Sequence, residues 1–360
     1  MARPWFSAPW DSHSDQPYRI CDPKLRRRLR AACLGPHLYT AALTAATAPL
    51  VALRYASLHQ VRFAGPQAAS FHGLGCSPLP GLDQAQSELL DELDIDRVLV
   101  RQGAWQLKAW PRTRQFIAAL APRQVLLVLA QDRRSICQPG YWQQFCRQVI
   151  DELPDNVEAV QIGQAVNRLK WGCTHVGEAL ALDAVIPAIR QQRPALRILG
   201  SSIIDFEPLA SLRSLLAWNQ PRLDGVAALL YVDRRGDPAN TQAGCFDLTR
   251  KIRAIAALTA ISPRSAKRLW LTEFNWPLTG HGPWAPTSAR ECVSEDQAAA
   301  WLQRYSAMAQ ASGLVERIYW WQLLAQGYGL VDPRDLRRRP AFHALAARQR
   351  EMRDSGPAES

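Results

Sequence analysis

The sequence predicts an α/β protein that forms one closed (β/α)8 barrel, a TIM barrel, behind an N-terminal basic and helical extension. Two observations support this prediction. From about residue 66 onward, eight short apolar segments alternate with segments of helical periodicity, which is the order expected of parallel strands joined by crossover helices. The chain of 360 residues is also long enough for such a barrel, which typically occupies about 250 residues as a single domain.

The strand candidates are short segments rich in Val, Leu and Ile. Several of them are continuous apolar runs, as expected for parallel strands that are covered on both faces. They span residues 68–75, 97–101, 124–130, 157–162, 196–201, 225–231, 268–272 and 317–322.

Helical segments lie between the strand candidates, and a final one follows the last strand. We place helices at residues 141–153, 177–192, 246–260, 295–311 and 340–353. Ser294 with Gln297 three residues later is a capping-box pattern, in which each side chain binds the other residue's backbone N–H. We therefore expect the helix at 295–311 to begin directly after Ser294.

The chain is expected to divide into an extension (1–63), the barrel (64–350) and a disordered tail (351–360). Within the extension, a cationic run at 24–30 precedes an uncharged stretch at 35–53 whose three threonines and Pro49 make it a poor transmembrane helix. Two interpretations stay open. The stretch packs against the barrel as a helix, or residues 24–53 contact an anionic membrane surface.

Charge and cysteine usage limit the partners and the compartment. The 43 Lys and Arg residues exceed the 32 Asp and Glu residues and give a net charge of +11, which permits a nucleic acid, an anionic membrane or a phosphorylated substrate. No nucleic-acid-binding motif accompanies the charge, so we expect no nucleic-acid partner. The eight cysteines lack metal-site spacing, so we expect a reduced compartment and neither metal nor cofactor. The N-terminus lacks the pattern of a signal peptide, which favours the cytoplasm, with contact to the inner membrane as an option.

Candidate functional residues follow the strands, because the catalytic groups of such barrels lie at the C-terminal strand ends. Arg101 ends the second strand, Tyr231 the sixth, Glu273 follows the seventh, and Trp321 lies at the end of the eighth. Trp105, Trp171, Trp276 and Trp284 also lie near strand ends, where aromatic rings can stack on sugars or bases.

Two segments resemble the retaining glycoside hydrolases of clan A, and most closely the xylosidase/iduronidase-like branch. Residues 269–277 (LWLTEFNWP) are similar to the strand-seven motif, and residues 319–346 to strand eight, with an aromatic end, a GLVD hairpin and RPAF opening the last helix. The resemblance covers about residues 66–348. It implies that Glu273 is the nucleophile and that Arg101 hydrogen-bonds it and keeps it ionised, as an opposite charge within reach does.

Strand four departs from the family pattern. Where the family has G-N-E-P-N, this chain has Gly163-Gln164-Ala165-Val166-Asn167, so Ala165 takes the place of the acid/base glutamate. Asp205 and Glu207, after strand five, are the candidates for a substitute acid. The resemblance implies substrate binding by Gln164, Asn167, Trp171, Tyr231, Trp276 and Trp321.

The missing carboxylate leaves two functions open. General acid catalysis is typically worth about 10²–10⁴-fold, so we expect action on glycosidic bonds only with an activated donor, in bacterial polysaccharide or lipopolysaccharide assembly. A glutamate restored at position 165 should then recover hydrolysis. The alternative is a catalytically inactive glycan-binding or scaffolding protein. Under both interpretations we expect a carbohydrate or glycoconjugate partner. The loop at 278–293 is long for its position and is a candidate lid over the substrate.

Overall fold

A closed barrel of eight parallel strands, hydrogen-bonded in sequence order, forms the centre of the molecule. This computed structural model describes residues 23–66, 70–281 and 289–354. The predicted (β/α)8 fold is therefore confirmed. The strands are β1 (His72–Cys76), β2 (Arg97–Gly103), β3 (Gln124–Ala130), β4 (Val157–Ile162), β5 (Arg197–Ile204), β6 (Gly225–Leu229), β7 (Leu269–Phe274) and β8 (Arg317–Trp320).

The strand bounds agree with the prediction in some places and differ in others. β3 and β4 have the predicted bounds. β3 is an apolar run after Gln124, and β4 includes Glu158 and Gln161 among its apolar residues. β5 continues to Ile204, past the predicted end at Ser201. Ser201 and Ser202 have φ values of +72° and +50°, and the pairing with β6 shifts register there. The irregularity lets the strand continue where the sequence suggests a turn.

Side chains alternate between the inside of the barrel and the layer beneath the helices. On β3, Leu126 and Val128 pack in one buried cluster with Trp270 and Tyr319, whereas Leu127 belongs to the larger cluster that includes the helix residues. This alternation is the period of two that a strand imposes. The barrel interior is therefore filled with side chains.

Glycines on β1 make room for two large rings of β8 and the segment that follows it. A Cβ atom at Gly73 would come within 2.3 Å of the Tyr319 ring, and one at Gly75 within 2.3 Å of the Trp321 ring. Any larger residue at Gly75 would displace Trp321 from the C-terminal mouth of the barrel. The glycines of β1 thus position an aromatic residue of the candidate site.

Helices surround the barrel. The predicted capping box is confirmed, since Ser294 accepts from the Gln297 backbone and Gln297 accepts from the Ser294 backbone. The helix expected at 177–192 is interrupted instead: a 3-10 turn separates two short helices, and the second has Pro187 in its first turn, where the proline ring prevents the helix from extending backwards. The helices are α1 (Pro23–Ala31), α2 (Leu34–Ala56), α3 (Asp83–Glu92), α4 (Trp110–Ala119), α5 (Arg133–Cys137), α6 (Pro139–Asp151), α7 (Val176–Ala179), α8 (Ile186–Gln192), α9 (Pro208–Leu215), α10 (Leu248–Ile261), α11 (Glu295–Ala311) and α12 (Pro340–Asp354).

An ion-pair cluster lies at the N-terminal end of the barrel. Glu158 of β4 pairs with Arg197 at 3.1 Å, with Arg97 at 3.5 Å and with Arg317. The side chains of Glu158 and Arg317 are 11% and 4% exposed, so solvent has little access to this end. The cluster lies at the opposite end of the barrel from the C-terminal strand ends.

Helix α2 lies along the outside of the barrel against α9 and α10. Its half-buried side includes Leu43, Val51 and three threonines, whose hydroxyls bond carbonyls of the preceding helical turn. Its outward side is apolar instead. Five of its large side chains are at least half exposed: Leu34, Leu38, Tyr39, Leu50 and Leu53. The polarity of α2 is therefore the reverse of an ordinary surface helix.

Some predictions lie outside the described residues. They concern Trp284, residues 282–288 of the candidate lid, residues 1–22 and the end of the tail. Within the described residues, no helix is both long and apolar enough to cross a membrane.

Candidate active site

A cavity of about 400 Å³ opens at the C-terminal end of the barrel. Its lining residues follow β2 and β4 to β8, which is where the catalytic groups of this fold lie. The predicted site residues in the lining are Arg101, Trp171, Asp205, Glu207, Tyr231, Glu273 and Trp321.

Glu273 is a buried carboxylate of this cavity, held by three hydrogen-bond donors. Gln164 Nε2 donates to its Oε2 atom at 2.6 Å, and Arg101 Nη2 donates to the same oxygen. The Tyr231 hydroxyl donates to Oε1. The ion pair expected between Glu273 and Arg101 is therefore present, and the three donors come from β2 and from the segments after β4 and β6.

The side chains around Glu273 are themselves fixed. The Arg101 guanidinium lies 3.3 Å from the centre of the Trp321 ring, which Gly75 accommodates. Burial and the nearby Glu273 carboxylate raise the pKa of the Tyr231 hydroxyl well above its ordinary value. Tyr231 consequently remains protonated and acts towards Glu273 as a donor only.

Ala165 does not face the cavity. It is fully buried within the outer core, its φ is +44°, and it does not line the cavity that Glu273 occupies. A glutamate at this position would place a carboxylate in apolar surroundings, which is costly without a partner. The expectation that Ala165→Glu restores hydrolysis is therefore corrected.

Asp205 and Glu207 line the cavity, and both bind one arginine. Arg168 Nη2 lies 2.6 Å from an Asp205 oxygen, and its Nη1 atom binds Glu207. The remaining carboxylate after β3, Asp132, caps α5 by accepting from the Ser135 backbone at 2.8 Å. Of these three, Asp205 and Glu207 alone reach the cavity, as a shared ion pair.

Two predicted substrate-binding residues have structural contacts instead. The Asn167 amide bonds the Ile204 backbone in both directions and donates to Glu207 at 2.7 Å, so it joins the β4 loop to β5. Trp276 packs among aromatic rings and donates its indole N–H to the Gly236 carbonyl at 3.0 Å. Neither lines the cavity of Glu273, and their role in substrate binding stays a prediction.

Sequence reasoning missed two cations and an amide of the cavity. Lys170, Arg235 and Asn275 all line it. Asn275 donates to the Trp321 carbonyl at 2.5 Å and accepts from Arg235 at 2.8 Å. Their only signal was position, since each lies in the loop that follows a strand, but no spacing rule distinguishes them from other loop residues. Among the described residues, no group of three His, Cys, Asp or Glu side chains could hold a metal ion.

Comparison with known proteins relates the chain to others by fold. No protein-family profile matches the sequence, and no curated protein matches it. Among solved structures, a family 39 glycoside hydrolase from the gut symbiont Bacteroides cellulosilyticus WH2 superposes with a TM-score of 0.60 at 11% identity, over 79% of this chain and 64% of that one. The chain thus spans less than two thirds of that protein's length.

Two further solved structures are similar. A GH30 endoxylanase from Clostridium papyrosolvens C71 gives a TM-score of 0.52 at 11% identity, over 79% of this chain and 72% of that one. A GH128 endo-β-1,3-glucanase from Amycolatopsis mediterranei, solved in complex with laminaritriose, gives 0.50 at 15% identity, over 78% and 99%. The chain therefore shares its (β/α)8 fold with glycoside hydrolases.

Proposed function

We propose that the chain is a glycoside-hydrolase-like enzyme whose nucleophile is Glu273, acting on a carbohydrate donor with an activated leaving group. The observation that carries this proposal is the binding of Glu273 by Arg101, Gln164 and Tyr231 at the cavity. An ionised carboxylate at the barrel mouth, oriented by charged and neutral donors, is what attack on an anomeric carbon requires.

The two oxygens of Glu273 have different surroundings, and we assign them different roles. Oε2 accepts from Arg101 and Gln164, whereas Oε1 accepts from Tyr231 alone. Oε1 attacks the anomeric carbon, and the bond from that carbon to the leaving oxygen breaks with its electron pair on the leaving group. Oε2 then becomes the carbonyl oxygen of the glycosyl ester and keeps both donors.

The donor's leaving group needs no proton in this mechanism. Position 165 is buried, and Asp205 and Glu207 share Arg168, so none of these is placed as a free acid. A phosphate group leaves as an anion because its second pKa is only about 6. An acceptor hydroxyl then attacks the glycosyl ester, releases Glu273 and loses its proton to solvent.

A glycan-binding or scaffolding protein without activity is the second candidate function. The arrangement of Asp205 and Glu207 favours it, because the charges of both carboxylates are already satisfied by Arg168. In that case the pair of Glu273 and Arg101 would only maintain the shape of a glycan-binding cleft.

Activated donors distinguish the two functions. The protein is incubated with a panel of glycosyl fluorides and nitrophenyl glycosides of common sugars, and adducts are located by peptide mass mapping. We expect a covalent adduct on Glu273 that azide, a nucleophile needing no base, releases faster than water does. Glu273→Gln should give no adduct, whereas Glu88→Gln, at an exposed position, should label normally. Binding of glycans without any labelling of Glu273 would support the second candidate.

The setting is also a proposal. We place the protein in assembly or remodelling of bacterial polysaccharide or lipopolysaccharide, in the cytoplasm and in peripheral contact with the inner membrane through residues 24–53. The support is the cationic α1, in which Arg27, Arg28 and Arg30 are exposed, next to the apolar outward side of α2. Basic residues beside an apolar helical face are suited to an anionic bilayer surface.

A further inference from the structure

Two cations reach the cavity of Glu273 from loops after different strands. Lys170 lies in the 3-10 turn Leu169–Trp171 after β4, and Arg235 ends the turn Asp233–Arg235 after β6. Both line the same cavity as Glu273. The topology thus brings two positive charges to the cavity of the candidate nucleophile.

Two other half-buried cations of the cavity are paired with carboxylates. Arg101 pairs with Glu273, and Arg168 pairs with Asp205 and Glu207. Lys170 makes no hydrogen bond or ion pair with any residue in the described part of the chain. Arg235 donates to the carbonyl and side-chain oxygens of Asn275, but no described carboxylate lies within ion-pair distance of it.

The positive charge of Arg235 makes the positive charge of Lys170 less favourable. Burial is the largest cause that lowers the pKa of the Lys170 ammonium, and the Arg235 guanidinium is the next, while the nearby Glu273 carboxylate acts in the opposite direction. Two like charges in a partly desolvated cavity repel each other, and an anion placed between them removes that cost.

The backbone holds Arg235 in one direction. Arg234 and Arg235 have φ values of +47° and +53°, a region that residues other than glycine rarely adopt. The Arg235 guanidinium lies 3.3 Å from the centre of the Tyr231 ring, and Tyr231 binds Glu273. Stacking and the bonds to Asn275 therefore fix this guanidinium beside the nucleophile.

We infer that Lys170 and Arg235 form a subsite for an oxyanion of the carbohydrate substrate, either a phosphate or a carboxylate group. The fork of an arginine binds two oxygens of such a group, and a lysine adds a compact charge. This inference rests on the proposed function and deepens it, because it names the class of substrate: a sugar phosphate or a uronic acid.

Binding measurements test the subsite without requiring turnover. Calorimetric titrations use glucose 1-phosphate, methyl β-glucuronide, inorganic phosphate and the neutral methyl β-glucoside. Each is titrated into the unmodified protein and into Lys170→Met and Arg235→Gln. Lys108→Met and Arg222→Gln remove exposed cations elsewhere and serve as matched controls. Arg235→Lys keeps the charge, and circular dichroism checks the folding of every variant.

We expect at least one anionic probe to bind at least tenfold more tightly than the glucoside. Lys170→Met and Arg235→Gln should each weaken that binding at least tenfold, while the controls do not and Arg235→Lys recovers part of it. A preference for glucose 1-phosphate and inorganic phosphate identifies a phosphate group, and a preference for the glucuronide identifies a carboxylate.

Equal affinity for charged and neutral probes, or anion binding that survives both substitutions, would overturn the subsite. The two proposals fail separately. Anion binding that depends on Lys170 and Arg235, without labelling of Glu273, keeps the subsite and removes the proposed reaction. Labelling of Glu273 by neutral donors, without preference for anions, does the reverse.

Discussion

Substitution of Tyr231 is expected to change the rate of attack by Glu273 more than the affinity for the donor. Its hydroxyl donates to the oxygen of Glu273 that we assign to attack, and it is buried with Glu273. A donor to the attacking oxygen orients it before reaction and must release it as the ester forms. The same contact therefore affects the rate of the first step more than the affinity for the donor.

The residue-scale prediction concerns Tyr231→Phe. A hydrogen bond to a charged group contributes about 1.5–3 kcal/mol, so we expect formation of the Glu273 adduct to slow by roughly 10- to 100-fold. Rapid-quench mass spectrometry with a nitrophenyl donor measures the rate of adduct formation. Tyr141→Phe removes a hydroxyl that donates to the Ala104 carbonyl and serves as the control. An unchanged labelling rate in Tyr231→Phe would show that Tyr231 does not orient the nucleophile.

Single residues also mark the limit of what the sequence could predict about the site. Glu273, Arg101 and Tyr231 were predicted because each sits at a strand end, where the fold itself fixes the position. Asn167 and Trp276 lie equally close to strand ends, but the Asn167 amide turns to the β5 backbone and Trp276 packs among other rings. Spacing alone does not encode the direction in which a loop side chain points, and the same limit concealed Lys170 and Arg235.

At the scale of elements, β1 is attached to the helices that follow the last strands. His72 of β1 bonds Ser306 of α11 at 2.5 Å and Gln349 of α12 at 2.7 Å through its two ring nitrogens. These contacts are buried and join the start of the barrel to its end. The contacts that close the barrel therefore include a histidine whose protonation can change with pH.

The element-scale prediction is a pH dependence of stability that originates at His72. Burial lowers its pKa from 6.5 to about 4, so between these values the unfolded chain binds the proton and the folded one does not. Stability consequently falls as the pH falls from about 6.5 to about 4, by about 3 kcal/mol at most for this group. Urea unfolding measured across this pH window should show a smaller decline for His72→Gln. His59→Gln, at an exposed position, should keep the decline of the unmodified protein, and identical slopes in all three proteins would contradict the assignment to His72.

Elements were predicted best where a single physical cause determines them. The apolar run of β3 and the capping box of α11 depend on local sequence alone. The interruption between α7 and α8 also has a local cause in Pro187, which the prediction of one helix at 177–192 overlooked. The extension of β5 depends instead on a register shift between neighbouring strands. Such tertiary causes are absent from a local pattern.

At the scale of the whole molecule, the outward side of α2 is the feature that a barrel alone does not explain. No residue between Arg30 and Arg54 carries a formal charge, and the polar threonines of α2 are turned towards the barrel. Contact with α9 and α10 occupies one side of α2 and leaves four of its five leucines, all except Leu43, facing outward. The boundary expected at residue 63 thus separates the sequence patterns, while α2 itself packs on the barrel.

The whole-molecule prediction concerns binding to vesicles. Flotation with phosphatidylglycerol-containing vesicles should recover the protein, and pure phosphatidylcholine vesicles should recover much less. Arg27→Gln with Arg28→Gln should weaken binding by about 2 kcal/mol, roughly 30-fold, because each basic residue near such a surface contributes about 1 kcal/mol. Leu38→Glu with Leu53→Glu should abolish it.

Two exposed cations elsewhere provide the matched control for the charge. Lys108→Gln with Arg222→Gln removes as much positive charge outside α1 and should leave flotation unchanged. If this pair weakens binding as much as the α1 pair does, the attraction comes from net charge and not from the extension. Flotation that survives both leucine substitutions would exclude α2 as the contacting surface.

The ion-pair cluster around Glu158 affects the order in which reactants enter the cavity and products leave it. Because side chains fill the barrel interior and Arg97, Arg197 and Arg317 occupy its N-terminal end, the described residues leave no passage from the cavity through the barrel. Donor, departing group and acceptor must all use the same opening. In a transfer reaction the first product therefore has to diffuse out before the second reactant enters. Double-reciprocal plots of initial rate against donor concentration, measured at several acceptor concentrations, should then be parallel lines.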